Sequence, residues 1–198
     1  QVTAIIAEWN PLHRGHLLPV QAARQQGATH IVAILSGNFV QRGEPALCPW
    51  QYRAAAALSS GVDLVLQLPL PYGVSTAQHF AGGAVASLAA LGTVDSLIFG
   101  SECGELAALR SVAAALDSPD LPAALAPHLQ KGLPFAAARQ AAVYSLLGED
   151  AGLLSSPNNI LGIEYLRALR RLGSNIQPLT ISRQGAPWPD SGSPPPWR

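Results

Sequence analysis

Apolar and polar positions along the chain alternate between short β-rich runs and longer stretches of helical period, the pattern of a parallel sheet covered by helices. Val2–Ala7 is continuously apolar and predicts a first strand buried on both faces. His30–Leu35 and residues 64–66 and 96–99, each rich in Val, Ile or Leu, predict three more strands, and residues 176–181 a closing one. Between them, residues 15–26, 49–60 and 75–91 read as helices, the second with Pro49 in its first turn and the third capped by Ser75.

After Phe99 the pattern becomes alanine-rich and helical over 105–116, 122–129 and 134–147, with Pro and Gly breaks between. These segments predict a helical insertion over 105–150. Residues 158–172 predict a further helix. The expected division is therefore an α/β domain over 1–184 and an irregular Pro/Gly/Ser-rich tail over 185–198.

Composition narrows the class. With 48% hydrophobic and 12% charged residues in 198, the chain is expected to fold as one domain rather than stay disordered. Its 12 basic and 12 acidic residues cancel, so any RNA contact must be local and DNA is not an expected partner. Lys131 is the only lysine, leaving arginines to meet phosphates. Cys48 and Cys103 lie far apart, outside any CxxC or Cys/His cluster, and predict neither a zinc site nor a disulfide framework, which fits a reduced cytoplasm. No run reaches the roughly 18 apolar residues of a membrane span, so a soluble protein is predicted.

The strongest chemical signal follows the first strand: Glu8-Trp9-Asn10-Pro11 leads into His13-Arg14-Gly15-His16 and a helix. A strand, a tight turn and a helix N-terminus make an anion site, where unpaired N–H groups and the positive dipole end face one spot. Gly15 permits close backbone approach, while His13 and His16 supply donors for phosphate oxygens and are the predicted catalytic residues. Taken alone, a histidine there is more often a helix cap; the HxGH spacing behind an N-terminal strand reverses that preference.

This spacing resembles the HIGH superfamily of class I aminoacyl-tRNA synthetases and small nucleotidylyltransferases. Four longer segments sharpen the likeness: residues 36–46 (SGNFVQRGEPA), 61–65 (GVDLV), 99–104 (FGSECG) and 156–165 (SPNNILGIEY). With these, residues from the first strand to about Gly185 resemble the bacterial tRNA(Met) cytidine acetate ligase family. The resemblance implies a Rossmann-like HUP fold and two steps: ATP and acetate give acetyl-adenylate and pyrophosphate, and the acetyl group then passes to the wobble cytidine of elongator tRNA(Met). Mg2+ is the expected companion of ATP, and no dedicated protein metal site is expected.

Carried over residue by residue, the resemblance places ATP along Ile6, Ala7, Glu8, Trp9, Asn10, Pro11, Leu12, His13, Arg14, Gly15, His16, Leu17, Leu18 and Pro19, and at Gly100, Asn158, Asn159 and Arg183. Gly100 near a strand end lets a nucleotide lie against backbone, and of Asn158 and Asn159 one is expected to cap the following helix while the other reaches ATP. Arg183 stands where relatives carry a phosphate-binding lysine. Arg42 and Glu44 mark a Gly-flanked loop that could cover acetate or the adenylate. Asp63 reads equally as structural or catalytic. Arg167, Arg170 and Arg171 share a helical face, either solvated or turned to RNA phosphates. The family pattern continues beyond Arg183 into a tRNA-associated region that is expected to be absent here. A nucleotidylyltransferase acting on a small phosphate ester, or a nucleotide-binding remnant without turnover, are the alternatives.

Overall fold

The computed structural model describes residues 1–183; the proposed tail over 185–198 lies outside them. Five strands, β1 (Val2–Ala7), β2 (His30–Leu35), β3 (Leu64–Gln67), β4 (Ser96–Ser101) and β5 (Gln177–Ser182), form one all-parallel sheet in the order β3-β2-β1-β4-β5. Around it lie α1 (Arg14–Gln25), α2 (Trp50–Ser59), α3 (Leu70–Gly73), α4 (Ala77–Leu91), α5 (Leu106–Leu116), α6 (Leu121–Gln130), α7 (Phe135–Leu147) and α8 (Pro157–Arg171), with a 3-10 turn over Gly148–Ser155 before α8. The expected Rossmann-like α/β architecture is present.

Because strand side chains alternate between faces, the central strands feed two apolar layers. Ala4, Ile6, Val32, Ile34, Leu97 and Phe99 pack under α4, α5 and α8, against Phe80, Val85, Leu109 and Ile163. Ile5, Ile31, Ala33, Leu35 and Ile98 pack the opposite way, against Val20, Ala23 and Ala57 of α1 and α2. The polar exceptions satisfy each other: buried Thr3 and Ser96 share a hydroxyl hydrogen bond of 2.9 Å between β1 and β4. Where α8 crosses β4 only a glycine fits, since a Cβ on Gly162 would stand 2.6 Å from Phe99 Cε2.

Several expectations shift in detail. Pro49 is the cap before α2 rather than its first turn, and Thr76, not Ser75, caps α4 by accepting from His79 N–H. β4 runs two residues beyond its predicted end because Gly100 and Ser101 pair with Ile181 and Ser182. Asp63 is structural: its carboxylate accepts from Ile31 N–H at 2.7 Å and from Arg24 at 2.6 Å, at the end of the sheet where the strands begin.

Candidate nucleotide site

β1 lies at the point where strand order reverses, with β2 and β3 on one side and β4 and β5 on the other. Open parallel sheets hold ligands in the crevice beyond such a point, at the carboxyl ends of the strands. The chain leaves β1 through Trp9, whose φ of 45° is left-handed and whose ring is buried. Glu8 Oε1 accepts from Gln41 N–H at 2.6 Å and Asn10 Oδ1 from Leu47 N–H at 2.7 Å, tying this turn to the loop after β2.

Beneath it sits Arg53, a buried guanidinium from α2 that sequence reading missed. It donates to Glu8 O at 2.5 Å, Ser36 O at 3.0 Å and Cys48 O at 3.4 Å, and also to Gly37 O. Burial lowers its pKa, while Cys48 and Glu8 act in the opposite direction. One cation thus fastens the carboxyl ends of β1 and β2.

The start of α1 is a reciprocal cap. His13 is the N-cap and its Nδ1 accepts from Gly15 N–H at 3.1 Å, while His16 Nδ1 accepts from His13 N–H at 3.4 Å. The cap reading of His13 and the phosphate reading therefore concern different nitrogens. With Nδ1 occupied as an acceptor, a neutral imidazole carries its proton on Nε2, and at His16 the Pro11 carbonyl lies within reach of that donor. The rings stack with centroids 3.6 Å apart. A side chain at residue 15 would crowd this stack, since a Cβ would lie 3.1 Å from His13 Cε1. The expectation of unpaired backbone donors changes accordingly: the amides of His13, Gly15 and His16 are bonded within the turn.

Burial, then the neighbouring His13, then Arg183 lower the His16 pKa from 6.5 to about 4. His16 is therefore neutral at physiological pH in the ligand-free protein. Because the unfolded imidazole binds its proton more readily, this group costs stability as pH falls from 6.5 through 4 and costs nothing above that window. An imidazole NMR titration is expected to give His16 a midpoint near 4; a midpoint near 6.5 would show it solvated and uncoupled from Arg183.

Across the crevice, Gly100 lies inside β4 and Arg183 directly follows β5, with Arg183 N–H donating to Ser101 O at 2.9 Å. A Cβ on Gly100 would sit 3.0 Å from Arg183 Cγ, so the glycine makes room for the arginine stem. Arg183 Nη1 donates to Asn158 Oδ1 at 2.6 Å. The expected capping role of an asparagine is corrected: Ser156 holds the N-cap position, and the amides of both Asn158 and Asn159 instead meet the carboxylate of Glu102. Asn159 is 2% exposed and accepts from Cys103 N–H at 3.1 Å, whereas Asn158 is only partly buried and faces Arg183. Glu102 is the second residue the sequence reading missed.

The remaining candidates separate. Ile6 belongs to the core, Ala7 and Leu12 pack partly against it, Arg14 is exposed at the first turn of α1, and Leu17, Leu18 and Pro19 continue that helix. Pro11 follows Asn10 through a cis peptide bond. Arg42 and Glu44 are exposed on the loop after β2, which closes on itself through Val40 N–H to Glu44 O at 3.0 Å. Arg167, Arg170 and Arg171 converge on Asp117, and Arg167 also holds buried Glu164 at 2.8 Å, so their shared face carries an ion-pair network with Arg170 and Arg171 exposed. Among the described residues no group of three His, Cys, Asp or Glu could hold a metal, both cysteines are free thiols, and no helix is long and apolar enough to cross a membrane.

A parallel sheet with an HxGH helix start at its switch point defines a Rossmann-like nucleotidyltransferase domain. The chain belongs to the HIGH Nucleotidyl Transferase family, whose model matches residues 1–193. It is 50% identical over 195 residues to the tRNA(Met) cytidine acetate ligase of Syntrophotalea carbinolica, a match covering 96% of this chain and 46% of the relative. Among solved structures it is similar to Thermotoga maritima TmcAL bound with alpha-thio ATP, with a TM-score of 0.88, 39% identity and coverage of 93% of this chain and 47% of the other. The apo form of that protein gives a TM-score of 0.92 at 38% identity, covering 100% and 49%. The chain thus spans about half the length of the relatives it matches.

Proposed function

We propose that this domain binds ATP at the carboxyl edge of the sheet and activates acetate as acetyl-adenylate, the first half of an N4-acetylation of the wobble cytidine in elongator tRNA(Met). The observation that carries the reading is the reciprocal histidine cap, in a chain 50% identical to a tRNA(Met) cytidine acetate ligase. An acetate oxygen attacks the α-phosphorus, the bond to the β-phosphate bridging oxygen breaks, and pyrophosphate leaves. As negative charge moves onto the phosphate oxygens, the Nε2–H groups of His13 and His16 and the dipole of α1 stabilise it. Arg183, its stem across Gly100 and its tip held by Asn158, presents its remaining donors to the triphosphate. Mg2+ would enter with the nucleotide, held by phosphate oxygens and water rather than by a protein cage. The loop carrying Arg42 and Glu44 flanks the same turn and would shield the mixed anhydride from water. The reaction is assigned to the cytoplasm, where both thiols stay reduced.

The deciding measurement is acetate-dependent exchange of radiolabelled pyrophosphate into ATP by the purified chain. Exchange that ignores acetate would overturn the activation step. In the same assay Arg183→Lys is expected to raise KM for ATP by about 10-fold despite keeping the charge, because an ammonium cannot both bond Asn158 and span two phosphate oxygens. An unchanged KM would remove Arg183 from the nucleotide site.

A further inference from the structure

We propose that Glu102 is a positioning residue for this nucleotide site: its carboxylate sets the orientation of the Asn158 amide and, through that amide, holds Arg183 over the triphosphate. This rests on the assignment of Arg183 to ATP, and it gives a role to a loop whose side chains have none in the reaction outlined above.

The geometry begins with a helix that does not cap itself. Ser156 makes no side-chain capping bond at the start of α8, and Pro157 has no N–H to offer. The next two amides both point at Glu102, Asn158 N–H at 3.2 Å to Oε1 and Asn159 N–H at 2.7 Å to Oε2. A carboxylate from a distant loop therefore occupies the positive end of α8, and a phosphate placed there would meet a negative charge. Between the starts of α1 and α8, that of α1 is left for the anion and that of α8 is closed to it.

The same carboxylate decides which way Asn158 faces. Asn158 Nδ2 donates to Glu102 Oε1 at 2.6 Å, which turns Oδ1 toward Arg183 Nη1, also at 2.6 Å. The flipped amide would set its NH2 against the guanidinium and its oxygen against the carboxylate, losing both bonds. Glu102 thus selects the only amide orientation in which Asn158 can hold Arg183.

Glu102 itself has little freedom to drift. Ser101 Oγ shares a hydrogen bond of 2.7 Å with Thr180 of β5 and accepts from Gly104 N–H at 3.0 Å. Gly104 adopts φ +67°, and a Cβ there would stand 2.8 Å from Ser182 Cβ, so the loop lies tight against the strand that ends at Arg183. Cys103 N–H to Asn159 Oδ1 pins the other side. The loop, the start of α8 and the end of β5 form one hydrogen-bonded unit with Arg183 as its exposed tip.

The test is a double-mutant cycle on the whole chain, with ATP affinity from calorimetry and the mobility of the Arg183 side chain from 15Nε NMR relaxation. Glu102→Gln keeps the size but presents an NH2 to one backbone N–H; it is expected to weaken ATP binding about 10-fold and to mobilise Arg183. If Glu102 acts through Arg183, Glu102→Gln in an Arg183→Ala background is expected to cause no further loss. Full additivity of the two losses, or an Arg183 side chain as rigid in Glu102→Gln as in the parent, overturns the proposal. Absence of ATP binding by the parent chain, with Arg183 mobilised by Glu102→Gln, would overturn the ATP assignment while upholding the hydrogen-bonded relay.

Discussion

Replacing His16 with Ala is expected to slow acetate-dependent pyrophosphate exchange by on the order of 100-fold or more, the usual cost of removing one donor aimed at developing charge. The loss should fall mainly on kcat, because His16 is neutral in the ligand-free protein and its Nε2–H gains strength only as charge builds on the phosphate. The substitution also removes the acceptor for His13 N–H, a capping loss of about 1 kcal/mol. Thermal unfolding of the variant separates the two effects, since a cap this weak cannot account for a 100-fold fall in rate. A folded His16→Ala protein that exchanges pyrophosphate at near the parent rate would remove the imidazole from the reaction.

The second large effect is expected at Arg53 and is one of stability. Arg53→Met keeps most of the apolar stem but leaves the carbonyls of Glu8, Ser36 and Gly37 without their donor. Breaking a buried charged interaction of this kind costs about 3–5 kcal/mol, which for a domain of this size lowers Tm by roughly 10 °C. Because those carbonyls close the strand ends beside the histidine turn, exchange activity should fall even below the unfolding transition. A shift of Tm within 2–3 °C, on the order of 1 kcal/mol, would mean that water replaces the guanidinium without penalty.

The parts of this molecule that were legible in sequence are those whose physics is local. The strands β1, β2 and β4 announce themselves as runs of β-branched and aliphatic residues because both of their faces are buried, and the HxGH turn is readable because its capping bonds span two and three residues. Strand ends were less legible: Gly100 and Ser101 look like loop residues alone, and only pairing with β5 keeps them in the sheet. α3, four residues long, offers too few positions to display a period. Arg53 and Glu102 were missed because their partners lie 45 and 57 residues away, at Glu8 and Asn159. The same distance hid the neutralisation of Arg167 and Arg170, which look like a free cationic stripe until Asp117, 50 and 53 residues away, is brought beneath them.

The order in which the site's pieces occur along the chain also bears on synthesis. The histidine cap is local and can form soon after α1 is made, but its counterparts Asn158 and Arg183 come from α8 and the far side of β5, and β1 waits for β4 before its second edge is covered. Chains are made vectorially, at about 5–20 residues per second. A growing chain therefore carries the donors of α1 for roughly ten seconds or more at that pace before the arginine opposite them exists. Until β5 joins the sheet, Arg183 is not placed across the crevice from the histidine turn, so the two sides of the candidate site come together late in synthesis.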